Sequence, residues 1–401
     1  MSGRRLSHLP SLLSLHAQEL GFLWSQRAGK IRSPEYRVRE LMALEERIEA
    51  HADALASSAH GNKDALVALL VAQDPDLLFS GAFTVLRLNE PALVDELLDA
   101  YEAAEPLSRQ TIVDAICFGT SKNAATRWLA KFGREPQCLF DAARVTAFHV
   151  PTSPVVAAVE QKLRDPDVEV RKAAWRAVWL FPPGRLQPPV TLAGALDDHA
   201  EVRRCALEAA AWARQPWILK HCQTAAAKGG ADSVEEIRTL AVIGSAEDLK
   251  LVLSACAHPA LGSARFEILG STGQPECIST LIAGMLDGDA ESAELAGIAF
   301  MRITGLQLPL ALRPTKSADP ELQIEVQVPD GENAAAQWRE VESRFAVGGR
   351  WCGGVEISGS NAEPTVNQKI DMLTRYERNV RLAFAGQPHR AAVDLLRLPL
   401  Y

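Results

Sequence analysis

Asp165-Pro166-Asp167-Val168-Glu169-Val170-Arg171-Lys172-Ala173-Ala174-Trp175-Arg176-Ala177-Val178 is matched 32 residues later by Asp197-Asp198-His199-Ala200-Glu201-Val202-Arg203-Arg204-Cys205-Ala206-Leu207-Glu208-Ala209-Ala210. The two stretches align without a gap, so Val170, Arg171, Ala174 and Ala177 fall on Val202, Arg203, Ala206 and Ala209. Each opens on an acidic turn and continues as an Ala-rich apolar pattern with helical spacing. The turn recurs in both directions at a spacing near 30 residues, as Asp74-Pro75, Glu105-Pro106, Glu135-Pro136 and His258-Pro259. Self-similarity at this period marks a stack of repeated supersecondary units. Carboxylates and a proline suit a helix N-terminus, where a missing N–H leaves no bond unmade and negative charge meets the positive dipole end. Small residues at i, i+3 and i+4 let neighbouring helices approach, and stacking buries what one pair cannot bury alone.

The acidic turn, the Val-Arg pair and the paired small residues resemble the second helix of a HEAT repeat. Weaker copies follow Asp74-Pro75-Asp76, where Ser80 stands in the Arg slot, and Asp287-Gly288-Asp289, where Ser292-Ala293 replaces Val-Arg. First helices read at Pro91–Tyr101, Ala124–Phe132, Ser153–Leu163, Pro216–Ala227, Ala246–Cys256 and Pro275–Met285. The expected fold is all-α, an α-solenoid of about eight HEAT-like helix pairs over residues 61–305. Residues 1–60 read as a helical cap, with Ser33-Pro34-Glu35 opening its second helix. Residues 306–332 hold prolines at 309, 314, 320 and 329 and read as a stiff connector, with Gln323–Val328 the one clean strand-period run. Residues 333–401 form a C-terminal extension: a helix at Asn333–Phe345, a Gly-rich stretch at Arg344–Ser360, and an amphipathic helix at Val366–Ala385 with Ile370, Leu373, Tyr376, Val380 and Phe384 on one face.

A narrower resemblance rests on Phe22-Leu23-Trp24, Tyr36, Leu41, Leu44-Glu45-Glu46-Arg47-Ile48-Glu49-Ala50-His51, Asp53 and Leu55 near the start. Phe300-Met301-Arg302-Ile303-Thr304-Gly305 carries it at the last repeat, and Trp338, Arg344-Phe345, Gly348-Gly349-Arg350 and Gly353 carry it in the tail. These resemble a bacterial family of HEAT-repeat proteins encoded in type VI secretion loci. The resemblance implies an accessory of that system and brings no enzymatic activity with it.

Composition is ordinary for a globular chain of 401 residues, and net charge is −8. Nine acids between residues 64 and 105 face only Arg87, whereas residues 162–220 hold ten Lys or Arg against seven acids. Such blocks read either as faces for partners of opposite charge or as solvated surface. Seven scattered cysteines without a C-x-x-C pair point to reduced, buried thiols and a cytoplasmic setting. No apolar run is long enough to span a membrane, and the N-terminal stretch, interrupted by His16, Gln18 and Glu19, does not read as a signal peptide.

Chemistry-bearing motifs are sparse. Gly348-Gly349-Arg350-Trp351-Cys352-Gly353-Gly354 lacks the phosphate-loop pattern and reads as a turn with close backbone approach. His51, four residues after Arg47, reads as a helix-surface residue without a nucleophile beside it. No metal-ligand spacing occurs, and we expect no cofactor, metal or catalytic residue. Arg171 and Arg203 are expected to pair with turn acids, Arg203 with Asp165 or Asp167. Lys172, Trp175, Arg176, Arg204, Glu208 and Trp212 lie off the Ala stripe and are the candidate partner-binding residues, Trp and Arg being common interface anchors. Trp175 and Trp179 fit core packing equally. The reading that follows is a protein-binding scaffold with a protein partner, possible partners being a secretion component or its cargo. A nucleic-acid binder resembling HEAT-like repair glycosylases needs a continuous basic groove, which the charge opposes. A lyase resembling the bilin-attachment HEAT proteins lacks an active-site cluster.

Overall fold

A computed structural model describes residues 9–31, 33–59, 62–150, 154–181, 186–315, 324–358 and 368–396. The expected rhythm of caps and helices is present at several of the described turns. Asp74, Asp167 and Asp289 each cap a helix, their carboxylates accepting the N–H of Asp76, Glu169 and Ser292. Pro75 and Pro106 stand in the first turn of theirs. Pro166 differs. Its helix starts at Val168, and Asp165 accepts the Asp167 N–H at 3.0 Å, so the proline sits in a turn ahead of the cap.

The chain divides into two compact units, Met1–Ile31 with Glu40–Pro182 and Ala391–Tyr401, and Arg32–Arg39 with Pro183–Arg390. The division falls inside the array. Among the described residues the first unit holds α1 (Leu9–Lys30), most of α2 (Val38–Ala59) and four helix pairs. The pairs are α3 (Lys63–Leu70) with α4 (Pro75–Leu88), α5 (Pro91–Ala103) with α6 (Pro106–Phe118), α7 (Lys122–Phe132) with α8 (Leu139–His149), and α9 (Val155–Lys162) with α10 (Val168–Val178). Second helices stack on one another in the order α4, α6, α8, α10, and α1 packs on α4 ahead of them. Ser80 explains why the Arg slot is empty at this end. It is fully buried and donates to the Ala17 carbonyl of α1 at 2.6 Å, while a Cβ on Gly21 would stand 2.3 Å from the Asp76 carbonyl oxygen. An arginine has no room in that contact.

Ser33-Pro34-Glu35 forms a turn, with the Glu35 N–H donating to Ser33 Oγ at 3.3 Å, and α2 begins three residues after Glu35 rather than at it. Two of the residues that carried the N-terminal resemblance pack inside the fold. Trp24 stacks on Phe79 with ring centroids 4.2 Å apart, and Glu45 makes a buried ion pair with Arg27 at 2.7 Å.

The second unit repeats the plan with α11 (Pro188–Ala195) and α12 (Ala200–Trp212), α13 (Ile218–Lys228) and α14 (Val234–Ile243), α15 (Ala246–Cys256) and α16 (Ala264–Thr272), and α17 (Ile278–Asp287) and α18 (Ala290–Thr304). Here α12, α14, α16 and α18 form the stacked row of second helices. Eight pairs are thus described, and the fold is all-α apart from two small hairpins. The connector is one of these hairpins: β1 (Leu310–Pro314) pairs antiparallel with β2 (Glu325–Pro329), of which only the second strand was legible. Then come α19 (Gly331–Val341), packed on α17, a second hairpin of β3 (Trp351–Cys352) and β4 (Val355–Glu356), and α20 (Met372–Phe384). Residues 366 and 367, at the expected start of the last helix, lie outside the described residues.

Arg171 and Arg203 have a local partner. Each folds back on its own turn, Arg171 donating to the carbonyls of Asp165 and Pro166 and Arg203 to those of Asp197 and Asp198 at 3.0 Å each. These carbonyls lie within reach of the side chain's own helix turn.

Candidate binding groove in the second compact unit

The row α12, α14, α16 and α18 presents a groove, and the chain's own α20 lies in it against α12 and α14. Asp371 sets where α20 begins, its carboxylate accepting the Thr374 N–H at 2.8 Å as N-cap. The buried side chains of α20 mix polar and apolar, and of the expected stripe Ile370, just ahead of the helix, and Val380 are buried while Tyr376 meets Trp212 and Glu208 of α12. Thr374, Arg375, Arg378 and Asn379 are buried, whereas Leu373 is 47% exposed. Arg302 of α18 is the anchor. It donates to Thr374 Oγ1 at 3.0 Å and pairs with Glu377 and, at 3.8 Å, with Asp371. Burial works against its charge, but Glu377 and Asp371 outweigh it and hold the guanidinium above its usual range.

The Gly-rich stretch locks the same region. Gly353 and Gly354, at φ 60° and 73°, make the two-residue turn of the β3–β4 hairpin. Their N–H groups donate to the carbonyls of Arg302 and Ile303 at 2.7 and 3.0 Å, and the Trp351 N–H to that of Gly273 at 2.7 Å. Those donors are turned to protein carbonyls rather than to an open anion cradle. The Arg350 guanidinium enters between the ends of α14 and α16 and donates to the carbonyls of Ala241, Gly244 and Thr272 at 2.8, 2.9 and 3.2 Å. Carbonyls at a helix C-terminus lack intrahelical donors, so a cation is well placed there. Burial, together with the charge of Arg381, still pushes the guanidinium down to about 9. The last-repeat and tail motifs therefore dock onto each other.

The six candidate residues fall into two groups. Lys172, Trp175 and Arg176 are on α10 of the first unit, and Arg204, Glu208 and Trp212 on α12 of the second. Trp175 is 1% exposed and donates its indole N–H to the Leu163 carbonyl at 3.1 Å, which makes it a core residue and corrects its reading as a surface anchor. Lys172 is half-buried and pairs with Glu169 at 2.9 Å, and Arg176 is exposed. Trp212 is buried too, and with Glu208 it is engaged by α20. Trp212 Nε1 donates to Tyr376 Oη at 3.0 Å, and Tyr376 donates its hydroxyl proton to Glu208. The direction is fixed because an indole N–H only donates and a carboxylate only accepts. Burial raises Glu208 above the usual carboxylate range, with the Tyr376 bond working against that shift. Burial, then the Glu208 charge, raises the Tyr376 phenol well above its usual value.

Beside α20 the groove remains open as a slot of about 430 Å³. Its floor and walls include Val242, Leu295, Ile298, Leu373 and Val380, none of which stood among the candidates from sequence as a binding residue. Arg204 lies at the slot and is exposed, so this one candidate keeps its place. The other charges along it are mutually engaged: Arg238 pairs with Glu267 at 3.0 Å, and Glu377 accepts from Arg302 and, at 2.7 Å, from Ser271. Helical periodicity placed Tyr376 and Val380 on one face. That the face lines a slot follows only from the docking of α20.

The solved structure of YibA from Escherichia coli is similar to this chain at 17% identity, covering 62% of this chain and 94% of that one with a TM-score of 0.35. No protein-family model matches the chain, and no curated protein matches it. No described helix is long and apolar enough to cross a membrane. Among the described residues no group of three or more His, Cys, Asp or Glu is placed to hold a metal ion. The seven cysteines are buried and free, and burial pushes the thiols of Cys117, Cys256, Cys277 and Cys352 up to about 12.

Proposed function

We propose that this protein is a non-enzymatic protein-binding scaffold that grips its partner in the slot beside α20, and that it is a cytoplasmic accessory of bacterial type VI secretion. The observation that carries the binding reading is the slot itself: an apolar trough of about 430 Å³ whose polar neighbours, Arg204 apart, are bonded largely to one another. Apolar surface left open along a rigid groove supports an interaction site. Thiols held far from the thiolate form support the non-enzymatic reading. The secretion context rests on the resemblance of the N-terminal, last-repeat and tail motifs.

The test is site-specific photo-crosslinking in the native host. A photoreactive residue at Leu373, beside the slot, is compared with one at Leu107, which is 68% exposed in the first unit. The expected result is one dominant protein adduct from position 373, belonging to the secretion apparatus or its cargo, and none from position 107. Adducts of equal pattern at both positions would contradict the slot. A single adduct from outside the secretion system would keep the scaffold and remove the context.

A further inference from the structure

We infer that the occupant of the slot is an amphipathic α-helix of the partner, lying alongside α20, with apolar anchors on one face and a carboxylate that meets Arg204. The inference rests on the scaffold reading and supplies the chemistry of its partner.

The groove already demonstrates that it fits a helix, because α20 occupies its other side. That helix has a second face. Leu373, Tyr376 and Val380 recur at i, i+3 and i+7 and line the slot, Leu373 exposed, Tyr376 half-buried and Val380 buried, while Thr374 meets Arg302 of α18. A ridge at this spacing is what a neighbouring helix packs against, at about 8–10 Å between axes. Across from it Val242, Leu295 and Ile298 supply a wall from α14 and α18, each only half-buried. An incoming helix would complete their burial with residues at i, i+3 or i+4, and i+7, the recurrent mode for helices in apolar grooves.

The polar groups decide the rest. A small molecule is oriented by convergent donors and acceptors. Here Tyr376 is taken by Trp212 and Glu208, Glu377 by Arg302 and Ser271, and Arg238 by Glu267. Arg204 is the arginine of the slot that makes no ion pair among the described residues, although the charges of Glu208 and Glu235 are felt nearby. Its exposed position at the margin suits an Asp or Glu on the flank of the incoming helix.

The experiment selects a display library of helical peptides of about 18 residues, five turns, on the full-length protein, then measures the winners by fluorescence anisotropy. Winners are expected to share an apolar i, i+3/i+4, i+7 stripe and an adjacent acid. Ile298→Glu is expected to weaken them by about 30-fold, as loss of an anchor contact does. Arg204→Glu is expected to weaken them by about fivefold, and Lys in place of the peptide's acid to restore most of the loss. Leu373→Glu, at an exposed position that folding tolerates, repeats the apolar test should Ile298→Glu misfold. Winners that bind both apolar variants unchanged would overturn the inference, as would an Arg204→Glu effect that the Lys peptide does not reverse. Anilinonaphthalene sulfonate that binds saturably, is lost in Leu373→Glu and is not displaced by any peptide would assign the slot to small apolar anions instead. A crosslinked partner at position 373 whose adduct maps to a strand or loop would overturn the helix and leave the scaffold standing.

Discussion

Ala174 and Ala206, the paired small residues of the two best repeats, are completely buried, which is what their place in the pattern demands. Aspartate at either position would bury a carboxylate without a partner. We expect a loss of about 3 kcal/mol in chemical denaturation, and an unchanged midpoint would break the assigned register. Asp141 on α8 is a naturally uncomfortable carboxylate. Burial raises it to about 6, with Arg144 working against the shift and Asp114 adding to it. A carboxylate raised in the folded state favours folding at low pH, and that contribution is lost as pH rises from about 4 through 6. Asp141→Asn should therefore flatten the fall in stability between pH 4 and 7 and gain on the order of 2 kcal/mol at pH 7. Parallel pH profiles for the two proteins would show that the residue does not titrate in this window.

At the scale of elements, one arginine shared between two carboxylates is a main tie of α20, beside the bonds of Tyr376 to Trp212 and Glu208. Arg302→Met should leave Asp371 and Glu377 without their cation and cost about 3–5 kcal/mol. Amide exchange over residues 372–384 should rise first. Unchanged exchange would mean that α20 is held by its other contacts. The array was legible from its two best copies, whose acidic start and apolar spacing are explicit, and the count of about eight followed from the spacing of the weaker ones. The docking of α20 was not. Its buried Thr374, Arg375, Arg378 and Asn379 look like solvent residues in a linear reading, and Thr374 meets Arg302 of α18, 72 residues earlier in the chain. The β1 strand was missed because Leu310–Pro314 has proline at its end and gains its identity from pairing with β2. Trp212 and Glu208 were singled out for residue type, and the structure gives them a partner in the chain's own α20.

At the scale of the whole molecule, part of the acidic block at residues 64–105 is matched by cations of the array itself. Asp95 pairs with Arg127, and Asp99 and Glu102 with Lys131, so α5 of the acidic block is matched by α7 of the next pair. Glu90 likewise pairs with Lys63. Exposed pairs of this kind contribute little, and Arg127→Ala with Lys131→Ala should cost under about 1 kcal/mol in stability. A larger loss would make the ladder a structural element. The functional claim concentrates instead on the slot of the second unit, where apolar surface is open and the surrounding charges, Arg204 excepted, are engaged. Its most direct test is the affinity of the partner recovered by crosslinking, measured by calorimetry for the native protein and for Ile298→Glu. The account predicts a loss of about 2 kcal/mol, roughly 30-fold in Kd, with an unchanged melting midpoint. Equal affinity in a folded variant would contradict it and move the binding site off the groove.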